Sequence, residues 1–299
     1  MAPHAGSPLP AIAMMLLALT ILPVSDSIGK TLTVTLPILQ LTWARFFFHL
    51  LVVLPVAALR PEHRRALGPR MALFQVLRGA LLVAANFFFL VALKHMPLAD
   101  SVAVLFVAPL IVTVLAPFAL GEHVGIRRYT AAAVGFVGAL VIIRPGAGAA
   151  GWYALLPLAA GFCYACYLLA TRRLAGSAPP IVTLAYTAIA GAAIMSAVVP
   201  FVWRWPNATE FGLMIMIGPI AALGHYLLIR AHERTQASLL APFSYWQIVS
   251  STAMGYLVFG DFPDRWTWVG FLILAASGIY VSIREQRLAL ARARAEGLA

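Results

Sequence analysis

The sequence predicts an all-α polytopic membrane protein, with ten transmembrane helices in two inverted five-helix repeats and both termini inside. Three observations predict this. The chain is 62% hydrophobic and 10% charged, with a mean hydropathy of +0.91, outside the range of soluble domains. Its apolar residues gather into runs, most of them long enough to cross roughly 30 Å of hydrocarbon at about 1.5 Å per residue. Finally, segments recur at nearly one offset. Gly79, Ala92 and Gly121-Glu122 match Gly218, Ala231 and Gly260-Asp261 at 139 residues, and Asn86 falls on His225 and Phe106 on Tyr245. At 143 residues, Pro37-Ile38, Leu41 and Trp43 match Pro180-Ile181, Leu184 and Tyr186. Several segments agreeing at almost one offset indicate an internal duplication.

In order, the runs cover 10–28, 37–59, 71–93, 97–119, 128–143, 151–170, 180–203, 210–230, 236–259 and 265–283. Connections are short, so no soluble domain is inserted. The first run has no Lys or Arg before it and is needed as the partner of a later run, so it reads as a retained helix rather than a signal peptide. The repeats span 10–143 and 151–283, leaving 284–299 as a basic cytoplasmic tail of Arg, Ala, Leu and Glu, read as a frayed surface helix.

Orientation follows from the basic residues. With the N-terminus inside, the inner segments hold fourteen of the 21 Lys and Arg and the outer loops five, Lys30, Lys94, Arg144, Arg204 and Arg265. Arg45 and Arg78 lie within runs. That bias places both termini in the cytoplasm of a bacterial inner membrane and accounts for the net charge of +11 without nucleic acid. Five helices per repeat is odd, so the second repeat enters upside down. Many secondary transporters use this architecture to alternate access to a midplane site.

Trp43-Ala44-Arg45, Pro97-Leu98-Ala99-Asp100, Gly121-Glu122, and Gly135-Phe136-Val137-Gly138 leading to Arg144-Pro145-Gly146 carry a family resemblance. So do Gly224-His225-Tyr226, Leu240-Ala241-Pro242-Phe243 and Gly260-Asp261 in the second half. Together they resemble the drug/metabolite transporter superfamily, EamA type, over about residues 10–283, with Asp261 where many relatives carry Glu. The resemblance implies a ten-helix inner-membrane carrier with a central cavity. It also implies export of amino acids or related metabolites, as in the YddG-like branch, with uncharged or aromatic amino acids expected.

Polar groups within the runs are the site candidates, because hydrocarbon penalises them unless they face protein or a wet cavity. Arg45 and Arg78 lie about 12 Å from the nearer interface, too deep for easy snorkelling. Thr42, Arg45 and His49 share one helical face, and Gln75, Arg78, Leu82, Asn86 and Phe89 fall in one sector of about 80°. A guanidinium holds a carboxylate through two parallel hydrogen bonds, or else pairs within the protein. Asp26 and Asp100 are the counter-ion or coupling candidates. Asn86 and His225 occupy matching places, and Gly218, Ala221 and Ala222 beside His225 mark a void or a close helix contact. Ser244, Gln247 and Ser251 recur at three and four residues, which puts them on one face with Gly255, flanked by Tyr245. Tyr164, Tyr167, Tyr186 and Trp43 are weaker candidates, and most other aromatics, Phe46 to Phe48 and Phe87 to Phe89 included, read as packing or lipid-facing.

No catalytic constellation, P-loop or metal-ligand spacing appears, so the expectation is a non-enzyme without cofactor or metal. Cys163 and Cys166 sit within an apolar run and read as small buried side chains. The expected partners are a small-molecule substrate and the lipid bilayer, and the sequence specifies no oligomeric state. The alternatives are a carrier of cationic drugs or of another metabolite, and, from another class, an intramembrane enzyme or receptor.

Overall fold

The computed structural model describes residues 9–59, 69–121, 125–144, 151–174, 178–234 and 237–295. Glu122 and Pro145-Gly146, part of the motifs quoted above, lie outside them. The described residues form helices and no strands. In chain order these are α1 (Leu9–Leu32), α2 (Ile38–Ala58), α3 (Pro69–His95), α4 (Leu98–Leu105), α5 (Ala108–Leu120) and α6 (Ile126–Ile143). They are followed by α7 (Leu155–Arg173), α8 (Pro180–Val198), α9 (Ala208–Arg234), α10 (Ala237–Leu240), α11 (Trp246–Phe259) and α12 (Arg265–Ala295). Among the described residues, eight segments are long and apolar enough to cross a membrane: α1, α2, α3, α4 with α5, α6, α7 with its leading turn, α8 and α9. The ninth expected run is split, and the apolar part of α12 is the shorter stretch Arg265–Val281.

Two runs expected to be single helices are broken, at equivalent places. The fourth divides into α4 and α5 around Phe106-Val107, and the ninth into α10, a 3₁₀ segment over Ala241–Tyr245, and α11. Pro109 in the first turn of α5 has no N–H to offer the Leu105 carbonyl, so the α-helical ladder cannot run through. Phe106 and Tyr245, matched by the 139-residue offset, stack with ring centroids 5.3 Å apart. The breaks of the two halves therefore meet. Each half then ends its split helix on a glycine in the left-handed region, Gly121 at φ 69° and Gly260 at φ 73°, where a side chain would be strained.

The halves are interleaved rather than side by side. α1 packs on α9 and α3 on α7, α2 lies against α8 and α9, α3 against α8, and α6 against α12. Exchanging the halves turns α1–α9 into α3–α7 and α2–α9 into α3–α8 and leaves α2–α8 and α6–α12 as they are, a reciprocity that suits a duplicated chain. At the α6–α12 crossing the main chains touch. A Cβ on Gly138 would stand 2.7 Å from the Gly270 carbonyl oxygen, and Ser277 Oγ donates to the Ala131 carbonyl at 2.5 Å. Pro23 interrupts α1 by leaving the Leu19 carbonyl without its usual donor, and Ser250 Oγ on α11 supplies one at 2.5 Å.

One end of the bundle is tied by charge. Lys30 Nζ meets Asp261 Oδ2 at 2.8 Å, and Arg144 Nη2 meets Asp264 Oδ2 at 2.5 Å, each pair joining the two halves. Asp264 also caps α12 by accepting from the Thr267 backbone N–H at 2.9 Å. At the other extreme, α12 continues without a break through Arg284 to Ala295, into the segment expected as a frayed helix, because Ala, Leu, Arg and Glu are strong helix formers.

Candidate functional site

A cavity of about 140 Å³ lies between the halves, lined from α1, α2, α3, α4, α7, α8, α9 and α11. Gly218 sets its width on one side. A Cβ there would collide with the backbone of Phe48 and His49, so α2 and α9 approach as closely as two helices can. The small residues beside His225 thus mark a close helix contact rather than a void. Seven residues on from Gly218, two turns along α9, His225 enters the cavity wall.

On α2, Arg45, Phe46 and His49 line the cavity, and from α1 Asp26 does. Arg45 Nη1 donates to Asp26 Oδ1 at 2.8 Å, with side chains 13% and 6% exposed, so the pair is shielded from solvent yet open to the cavity. The rings of His49 and His225 lie nearly parallel, at an interplanar angle of 23° with centroids 6.4 Å apart. His49 Nε2 and, on α3, Asn86 Oδ1 are buried and have no hydrogen-bond partner. Buried polar atoms are nearly always paired, so two orphans on one cavity wall are what a ligand or water would satisfy. Gln247 and Thr187 add polar groups, while Leu22, Leu82, Phe89, Tyr164 and Tyr167 supply apolar wall.

The other candidates lie elsewhere. Arg78 is 1% exposed and held by neutral partners, donating to Gln75 Oε1 at 3.0 Å, Thr171 Oγ1 at 3.1 Å, the Thr183 carbonyl at 2.7 Å and Thr187 Oγ1 at 2.5 Å. Its guanidinium also sits 5.0 Å from the centre of the Tyr167 ring. The cavity lining does not include it, although Thr187 and Tyr167 belong to that lining. Asp100 opens α4 beside Thr267, with Arg144, Lys30 and Asp264 as its charged neighbours, so it faces neither deep arginine. The expected face of Ser244, Gln247 and Ser251 is not formed. The 3₁₀ turn ends at Tyr245, so Ser244 precedes the helix that carries the other two, and a change of helix type shifts the angle between them. Only Gln247 reaches the cavity, whereas Ser251 is buried without a partner and Tyr245 packs against Phe106, Phe271 and Gly278.

Sequence reasoning passed over Phe46, which is 4% exposed and lines the cavity rather than facing lipid. Its place four residues after Thr42 and three before His49 put it on the same stripe. Tyr164 and Tyr167, ranked as weaker candidates, are both in the wall, stacked with centroids 5.8 Å apart. Among the described residues no group of His, Cys, Asp and Glu is placed to hold a metal ion.

Known proteins resemble the chain over most of its length. The chain is 26% identical over 276 residues to an S-adenosylmethionine uptake transporter of Rickettsia prowazekii, covering 92% of this chain and 93% of that protein. It is 27% identical over 267 residues to a riboflavin transporter of Vibrio cholerae, covering 84% and 85%. It is also 25% identical over 264 residues to the pseudopaline exporter CntI of Pseudomonas aeruginosa, covering 87% and 91%. These names differ from the amino-acid export expected above. A solved crystal structure shares the fold, with a TM-score of 0.63 at 21% identity, over 93% of this chain and 97% of the other. The model of the EamA-like transporter family matches twice, over residues 9–144 and 151–284. The chain therefore belongs to the EamA-like transporter family of the drug/metabolite transporter superfamily, whose members are multi-pass membrane transporters rather than enzymes.

Proposed function

We propose that this chain is a ten-span secondary carrier of small zwitterionic metabolites with an amino-acid head group. Its two inverted five-helix halves rock about the cavity to expose it to each side of a bacterial inner membrane in turn, with both termini cytoplasmic. The observation that carries the reading is the Arg45–Asp26 pair set into the cavity wall beside the orphaned His49 Nε2 and Asn86 Oδ1. A wall bearing one guanidinium and one carboxylate is complementary to a substrate bearing one carboxylate and one ammonium. Each protein charge exchanges its internal partner for the matching substrate group, so no unpaired charge is buried at any stage.

One of the relatives supports a head group of this kind, since S-adenosylmethionine carries the amino-acid moiety of methionine, whereas riboflavin carries none. A cavity of about 140 Å³ is close to the size that holds a single ring-sized group. A larger substrate requires the halves to part. The relatives include both uptake and export, so we take direction to follow the substrate gradient, with export as one of its outcomes.

Proteoliposomes loaded with unlabelled L-phenylalanine or S-adenosylmethionine and offered the labelled compound test the reading. Saturable counterflow without a pH gradient is expected, falling at least tenfold in Arg45→Ala and Asp26→Asn protein that still folds. Absence of counterflow for every amino-acid-headed compound, or full flux in Arg45→Ala, overturns it.

A further inference from the structure

The geometry points to His49 and His225 as the two jaws of a clamp that sandwiches a planar ring of the substrate between the halves. The proposal rests on the carrier reading for the presence of a substrate and goes beyond it in naming that substrate's shape. Face-to-face contact between flat groups needs about 3.5 Å, so a gap that admits one ring measures about 7 Å between the outer rings. The imidazole centroids are 6.4 Å apart with planes inclined by 23°. This protein supplies its own example of a closed stack. His95 and Tyr153 lie 3.7 Å apart at 11°, and nothing fits between them. The pair in the cavity stands 2.7 Å wider than that, about 0.6 Å short of the spacing a sandwiched ring needs.

The gap is held by backbone rather than by side-chain choice. Gly218 presses α9 against α2 at His49, which fixes the distance between the two helices that carry the jaws. Both rings line the same cavity of about 140 Å³, close to the roughly 150 Å³ that holds a benzene ring in an apolar protein interior. His49 Nε2 is buried beside that cavity without a hydrogen-bond partner. The Arg45–Asp26 pair lies in the same wall, on the same stripe of α2 as His49, so head and ring are read side by side. One jaw belongs to each half, and the inserted ring bridges them.

L-phenylalanine and L-cyclohexylalanine test this cleanly, since they share a head group and differ in having a flat or a puckered ring. In purified full-length protein labelled on histidine, phenylalanine should move the His49 and His225 ring-proton resonances upfield, as a stacked aromatic does, and cyclohexylalanine should not. In proteoliposomes, flux should favour phenylalanine by about tenfold, each stacked face contributing several-fold. His49→Phe and His225→Phe should keep that preference, and His49→Leu with His225→Leu should bring it close to one. A preference near one in the unaltered protein, or one that survives both leucine substitutions, overturns the clamp. Resonance shifts without flux uphold the clamp and defeat the carrier reading, whereas flux with neither shift nor preference does the reverse. If phenylalanine, riboflavin and S-adenosylmethionine all leave both histidine resonances unmoved, no planar ring enters the gap and the clamp is refuted.

Discussion

Arg45 and Arg78 are alike in the sequence, both deep in apolar runs and both flanked by polar residues at helical spacing. Their surroundings separate them. Arg45 is opposed by one carboxylate, Asp26, and borders a cavity. Arg78 is enclosed by four neutral oxygens from α3, α7 and α8 and lies over the Tyr167 ring. A guanidinium whose three nitrogens all donate to fixed neutral acceptors is a fastener, and here it ties α3 of one half to α7 and α8 of the other. A guanidinium held by a single carboxylate at a void can exchange partners. Depth in the membrane marks both arginines, and only the identity and number of the partners tells which can bind a ligand.

The largest effect should come from breaking the fastener. Arg78→Met removes every one of those bonds and should destabilise the folded protein by about 3 kcal/mol, read as a lower melting temperature and lower yield in detergent. Next, Arg45→Gln and Asp26→Asn should each reduce flux by roughly 10- to 100-fold, the worth of one charge-assisted hydrogen bond. The double variant should fall no further than the worse single, because the two residues act as one unit. Equal stability losses at Arg45 and Arg78 would erase the distinction drawn here. Third, Lys30→Ala, at a pair well away from the cavity, should cost no more than about 1 kcal/mol in the same melting assay and leave the phenylalanine preference unchanged.

The smallest effect is a matter of pH. Slight burial works to raise the Asp264 pKa, but the Thr267 backbone N–H and the Arg144 guanidinium outweigh it and hold the group below the usual carboxylate value. Its folded pKa being the lower one, the contribution is complete above the ordinary carboxylate pKa and is lost as pH falls through the depressed value. A shallow acid-side loss of melting temperature, absent in Asp264→Asn, is the expected outcome.

The ten runs and their internal echo were legible because burial in lipid demands long apolar stretches, and their extents largely match the helices. The breaks were not. Pro109 allows one, but whether a helix divides at Phe106 and Tyr245 is decided by what packs against it, and each ring's partner lies in the other half of the chain. For the same reason Ser244 and Gln247 were read onto one face that a 3₁₀ turn separates. The Arg45, His49, Asn86 and His225 positions could be read from helical spacing and the repeat, and all four line the cavity. Arg78 shared their sector with equal right. Its polar partners on α7 and α8 come from segments about a hundred residues away, which no local pattern reveals.

The contact of main chains where α6 crosses α12 has a mechanical consequence. Neither helix contributes to the cavity lining, and at Gly138 and Gly270 there is no side chain between them to yield. A methyl group at either glycine would meet the other helix's carbonyl oxygen within 2.7 Å, so backbone joins the two halves there and an alanine at either place would pry them apart.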